Sequence, residues 1–331
     1  MKFILTIDTE GDNQWDHGRP LTVNNIKYVP RFQELCNKYQ VKPTYLITSE
    51  VCTDPYSKEI FSDYISKDQA EIGAHLHSWT TPPFLDENGF RYNDKNHPFA
   101  TELPEKLLSE KLKTLTSQIE DNFGIHPTSF RSGRYGFDNR VARLLFENSY
   151  IVDSSVTPYN SWAHTRGLPE GNGGPDFINN TPFPCKYDFE NGSLMEIPIT
   201  ILPTKFPLNK NNIILNNYIM NVNKNLVLKI LRRMLFRHQP LWLRPHLWMN
   251  SGLFDDLLKE SLRIELPYIV MMFHSSELMP GCSSYRPDEN SIEELYDLLE
   301  NFFISLNNKN IQSISLTEAG RVLSYENMLL G

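Results

Sequence analysis

Residues 3–12 have the sequence Phe-Ile-Leu-Thr-Ile-Asp-Thr-Glu-Gly-Asp, an apolar run that ends in acidic residues. Residues 3–7 suit a strand buried on both faces, because the run lacks the polar alternation of a strand with one wet face. Asp8 and Glu10 follow directly, and carboxylates are costly to bury without partners. The stretch predicts a buried strand with acidic side chains at its carboxyl end.

Short apolar runs and helical patterns alternate along most of the chain. The predicted strands cover residues 3–7, 44–47, 71–77, 129–131, 151–152, 195–199, 269–273 and 311–316. Apolar residues at helical spacing lie between them, at 32–39, 108–119, 141–145 and 292–306. This order favours an α/β fold with parallel pairing, and seven or eight strands predict a closed or nearly closed barrel, with an open doubly wound sheet as the alternative.

Two long stretches interrupt the alternation. Residues 156–194 are rich in Gly, Pro and Asn, and residues 204–250 suggest an inserted helical segment. Because long loops in compact domains are usually functional or disordered, we expect the first to form part of a rim over the site. Residues 226–243 interleave basic and apolar residues, which is typical of a solvated basic helix face and alternatively of peripheral contact with an anionic membrane.

Composition excludes some classes of protein. A formal net charge of -8 over 331 residues argues against nucleic acid as a partner, since binding a phosphate backbone normally needs a basic face. The four cysteines form no CxxC pair, so they indicate neither a zinc knuckle nor a dense disulfide framework. The first apolar run is too short for a signal peptide or a membrane span, and we expect a cytoplasmic protein.

Polar side chains end other predicted strands as well. His75 and His77 close the third, Arg131 the fourth, Asp153 the fifth, and His274 the strand at 269–273. In a parallel barrel these carboxyl ends converge on one face, where active sites are built. His75 and His77, two residues apart on a strand, place both imidazoles on one face. Two histidines and a carboxylate are a common zinc set, so the pattern predicts a metal site.

Four stretches resemble the motifs of the polysaccharide deacetylases, the NodB-like carbohydrate esterase family four. Thr-Ile-Asp-Thr-Glu-Gly-Asp at 6–12 is similar to the family's Thr-Phe-Asp-Asp-Gly element, and Glu-Ile-Gly-Ala-His-Leu-His at 71–77 to its first histidine element. Phe-Arg-Ser-Gly-Arg-Tyr-Gly at 130–136 resembles the arginine element, and Phe-His-Ser-Ser-Glu at 273–277 the last histidine element. The order extends from residue 3 to about 320, so the resemblance implies one distorted (β/α)7-type barrel domain, the NodB-homology fold, over 1–331, with long insertions at about 156–194 and 204–250.

The resemblance also implies roles. Asp8 corresponds to the general base, His274 to the general acid and His75 to the first metal ligand, while Arg131 would hold Asp8 in its ionised form. The chain departs from the family at two positions. Thr9 replaces the ligand Asp and Trp79 stands where the second His is usual. We therefore predict Glu10 and His77 as the remaining ligands, with Asp12 as the alternative carboxylate.

Other residues complete the predicted site. Asp153 is expected to buttress His274, and Glu277 to support the site or bind sugar hydroxyls. Trp79, Tyr135 and Trp162 are expected to stack on a sugar ring. We expect the cofactor to be one divalent metal ion, with Zn²⁺ favoured and Co²⁺ or Ni²⁺ as alternatives.

These expectations predict a metal-dependent deacetylase that hydrolyses the N-acetyl group of a sugar in glycan or surface-polysaccharide metabolism. The acetylated sugar could be linked to a nucleotide, a lipid or a polymer. Two alternatives stay open: a hydrolase of the same fold that acts on an O-acetyl ester or a non-sugar C–N bond, and a non-catalytic glycan-binding relative.

Overall fold

The computed structural model describes residues 1–12, 20–167, 171–202 and 240–330, with side chains described up to residue 325. The strands, in chain order, are β1 Lys2–Thr9, β2 Pro43–Ile47, β3 Glu71–Leu76, β4 Ser129–Ser132, β5 Val152–Asp153, β6 Cys185–Phe189, β7 Gly192–Glu196, β8 Ile201–Leu202, β9 Leu241–Trp242 and β10 Tyr268–His274. The helices are α1 Val29–Lys38, α2 Ser49–Cys52, α3 Pro55–Ser66, α4 Glu105–Phe123, α5 Asn139–Glu147, α6 Ser251–Arg263, α7 Glu289–Asn308 and α8 Leu316–Leu330.

The main sheet has eight strands in the order β10-β1-β2-β3-β4-β5-β7-β6. Neighbours pair in parallel except for the β6–β7 hairpin. The sheet curls strongly. The curl is seen in the side chain of Arg131 on β4, which reaches Asp8 on β1 although two strands lie between them. In a flat sheet these strands would be about 14 Å apart. The chain is therefore an α/β protein with a curled half-barrel of eight strands, and the predicted distorted barrel is confirmed.

Segments outside the main sheet cover the free edge of β10. Strands β8 and β9 form a small antiparallel pair. Backbone N–H groups of Thr200 and Met272 donate to the carbonyls of Val270 and Leu243, which connects this pair to β10. At the opposite end, Leu316 and Ala319 of α8 pack against Ile4, Val152, Met195 and Val270 inside the sheet. The carboxyl ends of the strands are thus left to form the site.

One predicted strand is wrong. Residues 311–316 form a single bridge, from Ser313 to Phe3, and α8 begins at Leu316. The reason is a cap: Glu71 accepts hydrogen bonds from the backbone N–H and hydroxyl of Thr317 at the start of that helix. Satisfying these first-turn donors stabilises a helix over a strand.

The basic segment predicted at 226–243 falls mostly on residues 203–239, which lie outside the described residues, as does most of the predicted helical insertion at 204–250. Within the described residues, no helix has the length and apolar content needed to cross a bilayer. All four cysteines are unpaired, and Cys36 and Cys52 are buried.

Candidate metal and catalytic site

The carboxyl ends of four strands bring polar side chains to one point inside the curled sheet. Asp8 on β1 lies in register with His274 on β10, and His75 on β3 with Arg131 on β4. Asp8, His75 and Arg131 are buried, and His274 is partly exposed. The parallel register alone therefore places these four side chains at one face, as their positions at strand ends predict.

Glu10, His75 and His77 form a compact group of nitrogen and oxygen ligands. Glu10 Oε2 lies 2.9 Å from His77 Nε2 and 3.7 Å from His75 Nε2, and all three ligand atoms lie within 4.8 Å of one another. His75 Nδ1 lies 2.8 Å from the carbonyl oxygen of Arg131. That carbonyl fixes the proton on Nδ1 and leaves the Nε2 lone pair directed at the group, as in histidines that bind metals.

The donor set fits a divalent metal ion. Ligand atoms about 2.1 Å from a tetrahedral ion stand roughly 3.4 Å apart, close to the two distances at Glu10. Glu10 Oε1 is buried and accepts no hydrogen bond from the described residues, so an acceptor is available in a place where an unsatisfied one is costly. Burial raises the pKa of Glu10, but the charge of His274 and hydrogen bonds from both histidines hold it well below its usual range.

Gly133 makes room for one of these ligands. A Cβ atom at this position would lie 2.5 Å from His77 Nδ1 and 2.7 Å from the carbonyl oxygen of Leu76. Any side chain here would push the His77 ring, so the glycine in the arginine element has a steric role at the metal group.

Asp8 forms a buried ion pair with Arg131. Nη1 of the guanidinium donates to Asp8 Oδ1 at 2.6 Å, and its other nitrogens donate to the hydroxyl of Thr6 and to the carbonyl and hydroxyl of Ser154. Burial raises the pKa of Asp8, but the charges of Arg131, His75 and His274 outweigh it and hold the pKa below its ordinary value. Asp8 is an ionised carboxylate 3.9 Å from His75 Nε2, beside the metal group.

His274 is held by Glu277 and Arg244. Glu277 Oε1 lies 3.1 Å from the backbone nitrogen and from Nδ1 of His274, and Nη2 of Arg244 donates to the same oxygen at 2.7 Å. Arg244 Nη2 also lies 2.9 Å from His274 Nδ1. Glu277 is fully buried, so the expected contact with sugar hydroxyls is corrected to a role in positioning His274.

The predicted buttress from Asp153 to His274 is wrong. The Asp153 carboxylate accepts hydrogen bonds from the N–H and hydroxyl of Ser155 and lies beside Glu196, its register partner on β7. The physical reason is strand alternation, since the neighbours Val152 and Ser154 point into the curled sheet and Asp153 points out of it.

Asp12, the alternative carboxylate, lies apart from the metal group. Its oxygens accept hydrogen bonds from the Thr22 hydroxyl, from the backbone N–H groups of Asn24 and Asn25, and from the Asn25 side chain. These contacts saturate the carboxylate and fix the loop that follows β1, which favours Glu10 as the ligand.

A cavity of about 930 Å³ opens above the site. Asp8, His75, His77 and His274 lie at its base, and Tyr135, Trp162, Trp242 and Arg244 line its wall. The Tyr135 and Trp162 rings stack, with centroids 5.3 Å apart. Trp162 belongs to the stretch at 156–194, which forms part of the rim as expected.

Trp79 takes a different position from the other two predicted aromatic residues. Its ring packs on the imidazole of His77, with centroids 4.3 Å apart, and lies outside the cavity wall that the described residues form. Sequence reasoning missed Trp242 and Arg244 on that wall. No strand-end motif marks them, because Trp242 lies near the end of the stretch at 226–243 and Arg244 follows it, and the pattern of that stretch indicates a basic helix face or a membrane contact.

Comparisons with known proteins agree with the fold. No family model matches the sequence, and no curated protein matches it. Among solved structures, a polysaccharide deacetylase from Mycobacterium smegmatis is similar, at 13% identity and a TM-score of 0.56, covering 98% of this chain and 92% of that chain. A 4-alpha-glucanotransferase from Thermococcus litoralis is similar at 10% identity and a TM-score of 0.55, covering 96% of this chain and 40% of that chain.

A family 4 acetyl xylan esterase from Clostridium thermocellum also matches, at 12% identity and a TM-score of 0.40, covering 96% of this chain and 89% of that chain. At such identities a likeness concerns the fold, and one fold serves different reactions. The chain has the fold of the polysaccharide deacetylases, the family that its sequence motifs resemble.

Proposed function

We propose that the protein is a metal-dependent deacetylase that hydrolyses the N-acetyl group of a sugar. The observation that carries the proposal is the ionised Asp8, locked by Arg131, beside the Glu10–His75–His77 group and in register with His274, all at the base of one aromatic-walled cavity. The fold is similar to that of the Mycobacterium smegmatis polysaccharide deacetylase, which is compatible with this proposal.

The metal would be held by Glu10, His75 and His77 as three protein ligands, with at least one further position open. A divalent cation there would act as a Lewis acid on the acyl carbonyl and on the attacking water. Two imidazoles and a carboxylate suit Zn²⁺, with Co²⁺ and Ni²⁺ as alternatives.

Asp8 and His274 carry out different proton transfers. Water adds to the carbonyl carbon of the acetamide, and Asp8 accepts its proton, because Arg131 keeps that carboxylate ionised. The C–N bond then breaks, and His274 donates a proton to the nitrogen as it leaves as an amine. Glu277 and Arg244 fix the imidazole from its Nδ1 side, so the other ring nitrogen, 4.0 Å from Glu10 Oε1, is directed toward the reacting group.

The substrate side of the proposal rests on the cavity wall. Stacked Tyr135 and Trp162, with Trp242 beside them, offer the flat apolar surface on which sugar rings pack. A volume of about 930 Å³ has room for a sugar with a further group attached, whether nucleotide, lipid or polymer.

Acetate release tests the function. Metal-free protein is loaded with Zn²⁺, Co²⁺ or Ni²⁺ and incubated with matched N-acetyl and O-acetyl sugars, and His75→Ala is the control. We expect metal-dependent acetate release that favours the N-acetyl compounds and is absent from the variant. A preference for O-acetyl compounds would identify an esterase. Sugar binding without acetate release under any metal would identify a glycan-binding protein.

A further inference from the structure

Arg244 has hydrogen-bonding capacity that the protein does not use. Its side chain lines the cavity next to His274 and is 6% exposed, and Nη2 alone is engaged, by Glu277 and His274. Among the described residues, neither Nε nor Nη1 has an acceptor. Buried arginine N–H groups without partners are costly, so this guanidinium is suited to a ligand that supplies acceptors.

The guanidinium is also held in a fixed plane. Its central carbon lies 4.7 Å above the centroid of the Tyr285 ring. With one face on Tyr285 and one nitrogen on Glu277, the remaining edge has a defined direction. A rigid, planar set of donors recognises the paired oxygens of a phosphate or a carboxylate better than a flexible cation would.

A second buried arginine adds positive charge behind this wall. Arg286 is 2% exposed, donates from Nη2 to the carbonyl of Pro245, and forms no ion pair with any described residue. Its Nε is likewise unsatisfied. Glu277 and Glu294 both lie near Arg286, whereas Glu277 alone forms an ion pair with Arg244 among the described residues.

No acidic side chain among the described residues, other than Glu277, supplies an acceptor to Arg244. Asp8 is balanced by Arg131, and Asp12 is saturated by donors from its own loop. His246, on the same wall, does not compete with Arg244 as a cation: burial first, and then the charge of Arg244, lowers its pKa to about 4, so it is neutral at physiological pH.

We infer that the acetylated sugar carries an anionic group, a phosphate or a carboxylate, and that Arg244 binds it beside His274. This rests on the proposed function and narrows its substrate class. The wall supplies one rigid, planar set of donors that lack protein acceptors, and the cavity volume lies near the upper end of the range for small-molecule sites, which leaves room for the group.

Equilibrium binding tests the inference without using turnover. Zinc-loaded protein that carries Asp8→Asn, which removes the base and keeps the metal, is titrated calorimetrically with three sugars that share the acetamido ring: methyl N-acetylglucosaminide, N-acetylglucosamine 1-phosphate and N-acetylglucosaminuronic acid, each also in the galacto form. Arg244→Gln removes the charge, and Arg244→Lys keeps the charge without the planar fork. Arg143→Gln, an exposed helical arginine, is the matched control for loss of one positive charge. Thermal melts verify that each variant is folded.

We expect one of the two anionic sugars to bind about 10- to 100-fold more tightly than the neutral one, the gain of a charge-assisted contact. Arg244→Gln should abolish that preference, Arg244→Lys should retain part of it, and Arg143→Gln all of it. Which anion is favoured distinguishes phosphate from carboxylate.

Equal binding of neutral and anionic sugars by the Asp8→Asn protein with Arg244 present would overturn the inference, whether or not the Arg244 variants fold. Acetate release is measured separately, with zinc-loaded protein in which Asp8 is intact. An anion preference without acetate release would refute the deacetylase and keep the anion site, whereas acetate release without anion preference would do the reverse.

Discussion

Two buried acidic residues at the strand ends of this barrel, Asp8 and Asp153, have different partners, and the pKa values in the two pairs shift in opposite directions. On the inner face, Asp8 faces Arg131 at 2.6 Å, and its pKa lies below the ordinary value. On the outer face, Asp153 lies beside Glu196, with no arginine or lysine in an ion pair with either among the described residues. Burial and the proximity of the second carboxyl raise the pKa of Glu196 well above its ordinary value.

This difference explains which of the buried carboxyl groups can act as a general base. All these acids are buried, so burial alone does not decide. The partner decides: a guanidinium keeps Asp8 charged and able to accept a proton, whereas two buried carboxyls side by side cannot both be ionised, so one of them holds a proton. Successive side chains on a strand point to opposite faces of the sheet, so a difference of one position decides whether an acid meets the arginine or the second carboxyl.

The largest expected effect is loss of the metal. His77→Ala or Glu10→Gln should weaken metal affinity by more than about 100-fold, because the loss of a direct ligand exceeds the effect of losing a supporting partner. Metal analysis of the purified variants checks this against about one ion per chain in the unmodified protein. Asp12→Asn is the matched carboxylate control and should keep its metal. Full occupancy in the His77 variant would move the site elsewhere.

Asp8→Asn and Asp153→Asn compare the two faces directly. Asp8→Asn should lower kcat by about 10²- to 10⁴-fold, because the amide keeps the size of the side chain but cannot accept a proton. Asp153→Asn should leave kcat within about twofold, since its side chain points away from the site. Both variants should retain metal. Similar losses in the two variants would show that the faces are not functionally distinct.

Much of the inner face was predictable from sequence. Asp8, His75, Arg131 and His274 each end an apolar run, and parallel strands bring such ends together. The fold follows from the same runs, which give the positions of β1, β2, β3, β4 and β10.

The remainder depends on information that short patterns lack. Strand β5 has two residues, so no period-two pattern tells which face Asp153 occupies. Arg244 reaches His274 because β9 pairs with β8 and the carbonyl of Leu243 accepts a hydrogen bond from β10. No local sequence motif predicts these contacts. Residues 311–316 have the composition of a strand. A helix begins at Leu316 instead, because Glu71, which is distant in sequence, accepts a hydrogen bond from its first turn.

Glu277→Gln measures how much the position of His274 matters. The amide keeps the volume but replaces a charged acceptor of Arg244 and His274. We expect kcat to fall about 10-fold with KM nearly unchanged, because a misplaced proton donor affects the step more than binding. Steady-state kinetics checks this, with Asp153→Asn as the control for loss of a buried carboxylate. A rise in KM alone would return Glu277 to a substrate contact.

The smallest expected effect concerns the outer pair and the pH dependence of stability. The folded protein holds a proton on Glu196 at pH values where the unfolded chain, with an ordinary pKa of 4.5, has released it. Folding therefore takes up a proton, and this contribution to stability is complete below about pH 4.5 and declines as the pH rises toward the raised pKa.

Glu196→Gln cannot ionise, so it should escape the decline. Its melting temperature relative to the unmodified protein should rise by about 2–4 °C between pH 5 and pH 9, the shift that roughly 1 kcal/mol produces. Glu293→Gln removes an exposed carboxylate paired with Arg31 and should show no such trend. Parallel melting curves for Glu196→Gln and the unmodified protein would mean that Glu196 is ionised in the fold, and the contrast between the two faces would then rest on geometry alone.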